Sequence, residues 1–183
     1  MSANRFVIAA CLALGIAAGS ASADVMVGGS AMFPQKNIVE NAVNSKDHTT
    51  LVAAVKAAGL VQTLEGSGPF TVFAPVNAAF AALPPGTVDS LLKPENKAAL
   101  VKVLTYHVVP GRLTSADLDR LIRTGAGTAV LTTVSGGTLR LMKNGDRNIT
   151  VTDETGAVAD ISIYDVMQSN GVIYSIDRVL MPK

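Results

Sequence analysis

The side chains of this chain that could do chemistry are few. It contains two histidines, His48 and His107, and a single cysteine, Cys11. An enzyme ordinarily assembles an activated nucleophile, a tuned acid–base pair, a metal or a cofactor. The spacings that carry such chemistry are missing: there is no HExxH pair, no G-x-S-x-G elbow and no P-loop. Gly66-Ser67-Gly68 lacks a third glycine and runs into an apolar segment, so it reads as a tight turn. Asp47-His48 offers two metal-ligand types where a site needs three or four, and reads as the start of a helix. Asp153-Glu154 lacks the alternating acids of a calcium loop and reads as a solvated turn. Arg140, Lys143 and Arg147 form a mild basic cluster without interleaved aromatics, read as a solvated hairpin face. Asn148-Ile149-Thr150 matches a glycosylation sequon, a pattern short enough to recur by chance. No catalytic, cofactor-binding or metal-ligating set is assigned, and a non-enzymatic protein is expected.

The first segment bears on the compartment. Met1 to Ala23 reads as a secretory signal: Arg5 supplies the positive start, Phe6 to Ala18 an uncharged apolar stretch, and Ala21-Ser22-Ala23 an A-x-A cleavage site ahead of Asp24. The apolar stretch falls short of the roughly 20 residues that span a bilayer. Cys11 permits a rival reading, since Ile8-Ala9-Ala10-Cys11 resembles a lipoprotein box. Too few apolar residues separate it from Arg5, and plain cleavage is preferred. The whole chain carries 15 basic and 14 acidic side chains and 49% apolar residues, with a mean hydropathy of +0.38. Losing the leader removes Arg5 and Cys11, which leaves a formally neutral chain without cysteine. Such a chain lacks the electrostatic footprint for nucleic acid or an anionic membrane surface. It also suits an oxidising compartment, where a free thiol could mispair.

The remaining pattern divides in two. Residues 24–35 are small and aperiodic and are read as an extended N-terminal arm, ahead of one domain over 36–183. Helical periodicity begins at Lys36, with Ile38, Val39, Ala42 and Val43 on one face and Leu51, Val52, Val55 and Leu60 on another. Asp47 or Thr49 is expected to cap the second of these helices and Gly59 to end it. Phe70 to Ala74 reads as a buried strand, Asn77 to Leu83 and Pro94 to Leu104 as helices, and Thr105 to Val109 as extended chain. Beyond Gly125 the period becomes two, with β-rich runs separated by Gly and Asp turns. A helical first half and a β-rich second half predict an α+β domain.

Three segments stand out: Phe70-Thr71-Val72-Phe73-Ala74-Pro75-Val76-Asn77-Ala78-Ala79-Phe80, Leu104-Thr105-Tyr106-His107-Val108-Val109, and Asn170-Gly171-Val172-Ile173-Tyr174-Ser175-Ile176-Asp177-Arg178-Val179-Leu180-Met181-Pro182. In this order and spacing the chain resembles the fasciclin domain over about residues 36–183. Two positions depart from that pattern. Val76 stands where Ser or Thr is usual, leaving Asn77 to cap the following helix. Tyr174 stands where a histidine is common, so any role of that histidine does not carry over.

The resemblance implies a β-wedge with short helices packed along one edge. It implies a secreted or periplasmic adhesion or interaction module whose partner is an extracellular or cell-surface protein or a matrix component. In animal members the Tyr-His segment and a short Asp-Ile segment have been linked to integrin binding. Tyr106 and His107 match the first, and Asp165 and Val166 the second, with Val in place of Ile. These four are the candidate partner-binding residues, although an apolar run holding a Tyr and a His usually buries both. The alternative is a periplasmic carrier that holds a small apolar ligand or lipid in a lined cleft.

Overall fold

The computed structural model describes residues 25–146 and 148–183. The expected signal and cleavage site, Cys11 and Arg147 lie outside the described residues.

Two strands explain why the first and third motifs are so apolar. Strand β3 (Phe70–Pro75) and strand β9 (Gly171–Ile176) pair in parallel, with Phe73 opposite Tyr174. Successive side chains of a strand point to opposite faces, and both faces of this pair are covered. Val72, Ala74 and Ile173 enter one core, while Phe73, Val172, Tyr174 and Ile176 enter the other. The Phe73 and Tyr174 rings stack at 5.6 Å, sealing the pair from the second side.

The other strands extend outward from this pair. Strand β4 (Val108–Pro110) flanks β3, and β9 is followed in space by β8 (Val158–Gln168), β7 (Asn148–Thr152), β6 (Thr138–Asn144) and β5 (Thr128–Thr132). The order β4-β3-β9-β8-β7-β6-β5 makes one seven-stranded sheet. Strand β8 belongs to both halves and bends through register shifts between Ile161 and Val166. The bend folds β5–β7 back over β3–β9, and the bond from Val134 N–H to the Val108 carbonyl (2.8 Å) nearly closes the wedge. Leu131, Leu139, Leu141, Val151 and Ile161 fill its interior.

Helices cover the opposite face of β3 and β9. They are α1 (Ile38–Ala42), α2 (Thr49–Ala58), α3 (Val61–Glu65), α4 (Asn77–Ala81), α5 (Thr87–Leu91) and α6 (Lys97–Tyr106). Leu51, Val55, Leu100 and Leu104 supply their apolar side. A seventh, α7 (Ser115–Thr124), inserts Leu118 and Ile122 into the wedge. The domain is α+β, a wedge with short helices along one side.

Several local expectations need correction. The segment before Lys36 is a two-stranded hairpin, β1 (Val25–Val27) and β2 (Ser30–Met32), and Val27 and Met32 are buried in the helix-side core. Neither Asp47 nor Thr49 caps α2, because a 3-10 turn over Lys46–His48 leads straight into it. Asn77 does this work from another helix: its Oδ1 accepts from Thr50 N–H (3.0 Å) and Thr49 Oγ1 (3.2 Å), and its Nδ2 donates to the Lys46 carbonyl. Asn77 therefore ties two helix starts together and leaves α4 without a side-chain cap. Gly59 does end α2, at φ 74°, a left-handed conformation that glycine adopts without strain. Thr105 and Tyr106 are the last turn of α6 and not extended chain. Asp153 is buried: Oδ1 accepts from Thr155 N–H, Thr155 Oγ1 and Ala157 N–H, and Oδ2 from Met181 N–H, so the carboxylate organises its turn from within.

Candidate functional site

Tyr106 and His107 sit where α6 stops and β4 begins. Tyr106 has no exposed surface, and its hydroxyl donates to the Thr138 carbonyl (2.7 Å) while accepting from Glu154 N–H (3.0 Å). Burial pushes its pKa up to about 12, against the opposing effect of the Glu154 N–H. His107 is buried with both ring nitrogens engaged. Nε2 accepts from Leu180 N–H (2.9 Å), so the ring proton is on Nδ1 and is donated to the Val103 carbonyl (2.8 Å). Burial depresses its pKa to about 4, although the Val103 carbonyl and nearby Asp153 oppose the shift. With no free lone pair and no side-chain nucleophile bonded to it, this imidazole has no proton-transfer partner other than backbone.

Asp165 and Val166 lie in the bent part of β8. Val166 is buried in the helix-side core. Asp165 is half-buried at φ 52°, a left-handed conformation that Asp tolerates better than most residues. Its Oδ1 accepts from Ser115 N–H (2.7 Å) and lies 3.0 Å from the Tyr174 hydroxyl, which also reaches the Leu113 carbonyl (2.8 Å). Its Oδ2 accepts from Ser115 Oγ. The carboxylate thus docks on the first turn of α7, whose Thr114 and Asp117 form a local capping box. Burial and the Asp165 charge together raise the Tyr174 pKa. Tyr174, standing in the place of a histidine, serves as the hydrogen-bonding pivot between β9 and α7.

Among the described residues no hydrogen bond joins the Tyr106–His107 pair to the Asp165–Val166 pair. Three of the four candidates offer a partner no surface in this conformation, and the fourth spends its carboxylate on α7. His48 is likewise internal, with Nδ1 2.9 Å from Ser45 Oγ and Nε2 3.4 Å from Ser175 Oγ, and burial lowers its pKa. Both serines are buried, so this contact is closed to substrate. Among the described residues no three His, Cys, Asp or Glu side chains group as metal ligands.

The accessible feature is a sheet face that no motif marks. In β5–β8 the buried and exposed residues alternate, and the outward row runs Val130–Arg140–Thr152–Val158 across four strands. The neighbouring row is Thr128–Met142–Thr150–Asp160. Val130, Met142 and Val158 are three of the six large apolar side chains exposed among the described residues. Threonines separate them, and Arg140 and Asp160 are the only charges in the two rows. Lys143 and Asp119 meet at 2.6 Å on the inner border of this face; the Lys143 hydrogen bond, foremost, holds the Asp119 carboxyl below its usual range. Only the alternation of Val, Met and Thr could have signalled this surface in the sequence.

The nearly closed β-wedge with short helices along one side is the architecture expected of a fasciclin domain. The comparisons agree: the family model for the fasciclin domain matches residues 46–182, and the chain belongs to that family. It is 49% identical to Protein sll1483 of Synechocystis sp. over 146 residues, covering 79% of this chain and 73% of that protein. It is 35% identical to the cell surface glycolipoprotein MPB83 of Mycobacterium bovis, covering 85% and 64%. In three dimensions it resembles a domain pair from the insect cell adhesion molecule fasciclin I, with a TM-score of 0.72 and 17% identity, over 81% of this chain and 51% of that one.

Proposed function

We propose that the chain is a secreted, non-enzymatic module that binds an extracellular or cell-surface protein through the outer face of β5–β8. The observation that carries this reading is the exposure of Val130, Met142 and Val158 on one sheet face, among threonines and with Arg140 and Asp160 as the charges of its two rows. Exposed apolar side chains gathered on one face among polar groups are a mark of an interaction surface. Membership in the fasciclin family supports the adhesion class, as does likeness to the cell surface glycolipoprotein MPB83 and to the cell adhesion molecule fasciclin I. Tyr106, His107, Asp165 and Val166 contribute by holding the frame: they fix α6, the C-terminal segment, α7 and the β8 bend. The leader is removed between Ala23 and Asp24, and no described helix is long and apolar enough to cross a membrane.

The test is crosslinking of tagged, secreted protein on intact cells, comparing wild type with a Val130→Asp/Val158→Asp variant. The variant is expected to melt like wild type and to lose capture of its partner by at least roughly ten-fold. Undiminished capture by the folded variant would refute the sheet-face assignment. Amino-terminal sequencing of the exported protein reads the cleavage, and any start other than Asp24 overturns that part.

A further inference from the structure

An apolar cavity of about 80 Å³ lies on the helix side of β3 and β9. Its walls include Ile38 and Ala42 of α1, Val55 of α2, Leu64 of α3, Val72 of β3 and Leu104 of α6. Protein interiors close such voids where they can, because lining atoms without a facing partner lose dispersion contacts. Two histidines border this one, but Nδ1 and Nε2 of both His48 and His107 already face hydrogen-bonding partners. The histidines offer a guest no free donor or acceptor and the wall is almost wholly apolar, so a charged or hydroxylated guest would bury an unsatisfied group. The chemistry of the wall selects a neutral apolar molecule.

The cover over this cavity is, like α5, one of the two short helices with no fully buried residue. Helix α3 is five residues long and none of them is fully buried; Val61 and Leu64 lean half-buried on the core. It hangs between Gly59, at φ 74°, and the Gly66-Ser67-Gly68 turn. Asn170 holds its far end, with Nδ2 donating to the carbonyls of Leu64 (2.7 Å) and Gly66 (3.0 Å). The cavity is smaller than the ~150 Å³ space known to admit benzene, so entry of a ring requires this cover to shift. We propose that the cavity is a binding site for a small neutral apolar molecule and that α3 is the flap through which it enters. The site is independent of the sheet-face reading, since the second core separates it from the outward rows that hold Val130, Met142 and Val158, although Val166 at the far end of β8 lines it.

Benzene is the probe, followed by methyl NMR of the full secreted chain with labelled Ile, Leu and Val. Saturable one-site shifts are expected at Val55, Val61, Leu64 and Leu104, with none at Val130 and Val158. Ala42→Leu fills the cavity and is expected to weaken binding at least ten-fold in a protein that still folds. If that variant does not fold, Val52→Phe fills the wall from α2 and is read in the same way. Shifts that fail to saturate, shifts spread equally to the sheet-face methyls, or a folded filling variant that binds as wild type overturn the proposal. Each of these readouts is separate from partner capture on cells, so one reading can fail while the other stands.

Discussion

Acidification to pH 5 should cost this domain measurable stability through His107. The folded ring is neutral, gives its Nδ1 proton to the Val103 carbonyl and receives Leu180 N–H on Nε2. A second proton would have to sit on Nε2, facing a donor it cannot bond. Burial therefore lowers the pKa from 6.5 to about 4. Between those values the unfolded chain binds a proton that the folded chain refuses, so stability falls as pH falls below 6.5. At 1.36 kcal/mol per unit, the loss relative to pH 8 is about 2 kcal/mol at pH 5 and reaches about 3 kcal/mol below pH 4. His48, also depressed by burial, acts in the same direction. The carboxyls of Asp117 and Glu154 are lowered mainly by hydrogen bonds, from Thr114 and from the Thr138 N–H respectively, so their contribution is lost mostly at more acid pH. The assay is urea unfolding followed by far-UV circular dichroism at pH 8 and pH 5, since the chain has no Trp to report. In His107→Gln the side-chain carbonyl can still accept from Leu180 N–H but cannot titrate. This variant should be weaker than wild type at pH 8 and lose about 2 kcal/mol less on acidification. Equal losses in the two proteins would refute the assignment of the pH dependence to His107.

Three further outcomes follow from the same geometry. Asp165→Ala removes the bonds to Ser115 and Tyr174 and places Ala at φ 52°; it should cost about 2–3 kcal/mol in urea unfolding, with Asp165→Asn retaining part of the stability. Asn77→Ala removes the acceptor shared by Thr49 and Thr50 and should cost about 1–2 kcal/mol, read as a lowered melting temperature. Gly137→Ala would place a Cβ 2.7 Å from Tyr106 Cε2; the ring must shift, and near-ultraviolet dichroism and melting temperature should change together.

Residues with neighbours close in sequence, or with both faces buried, were readable from the sequence. Strands β3 and β9 declared themselves because a strand covered on two sides carries an unbroken apolar run. The inner and outer residues of β5–β7 followed from strict alternation, and Gly59 from the needs of a helix end. Contacts that cross the chain were not readable. Asn77 stands at the start of a helix and has the chemistry to cap it, yet its side-chain carbonyl serves α2, 27 residues earlier. Asp153 sits in a polar pair that looks solvated until the C-terminal segment lays Met181 N–H against it. Helix α3 is too short to show a period, and Asp165 looks like a surface acid until α7 arrives to be capped.

The three most recognisable pieces of this sequence are recognisable because they are internal. Phe73 and Tyr174 stack across the parallel pair, Tyr106 bridges two turns, and His107 ties α6 to the C-terminal segment. Each position is constrained by packing on every side, so residue type there reports how the wedge is built and leaves little freedom to encode a partner. The outer face of β5–β8 is constrained only by strand propensity and solubility, which Thr, Val, Met and an isolated Arg all satisfy. On the proposed function, binding specificity can therefore change on that face without disturbing the motifs. On this reasoning, exchanging Val130, Arg140, Met142 and Val158 for the aligned residues of another family member should transfer partner choice while leaving melting temperature nearly unchanged. Exchanging Tyr106, His107 and Asp165 should alter stability and leave partner choice in place, and the opposite pattern in a cell-binding assay would return the partner site to those residues.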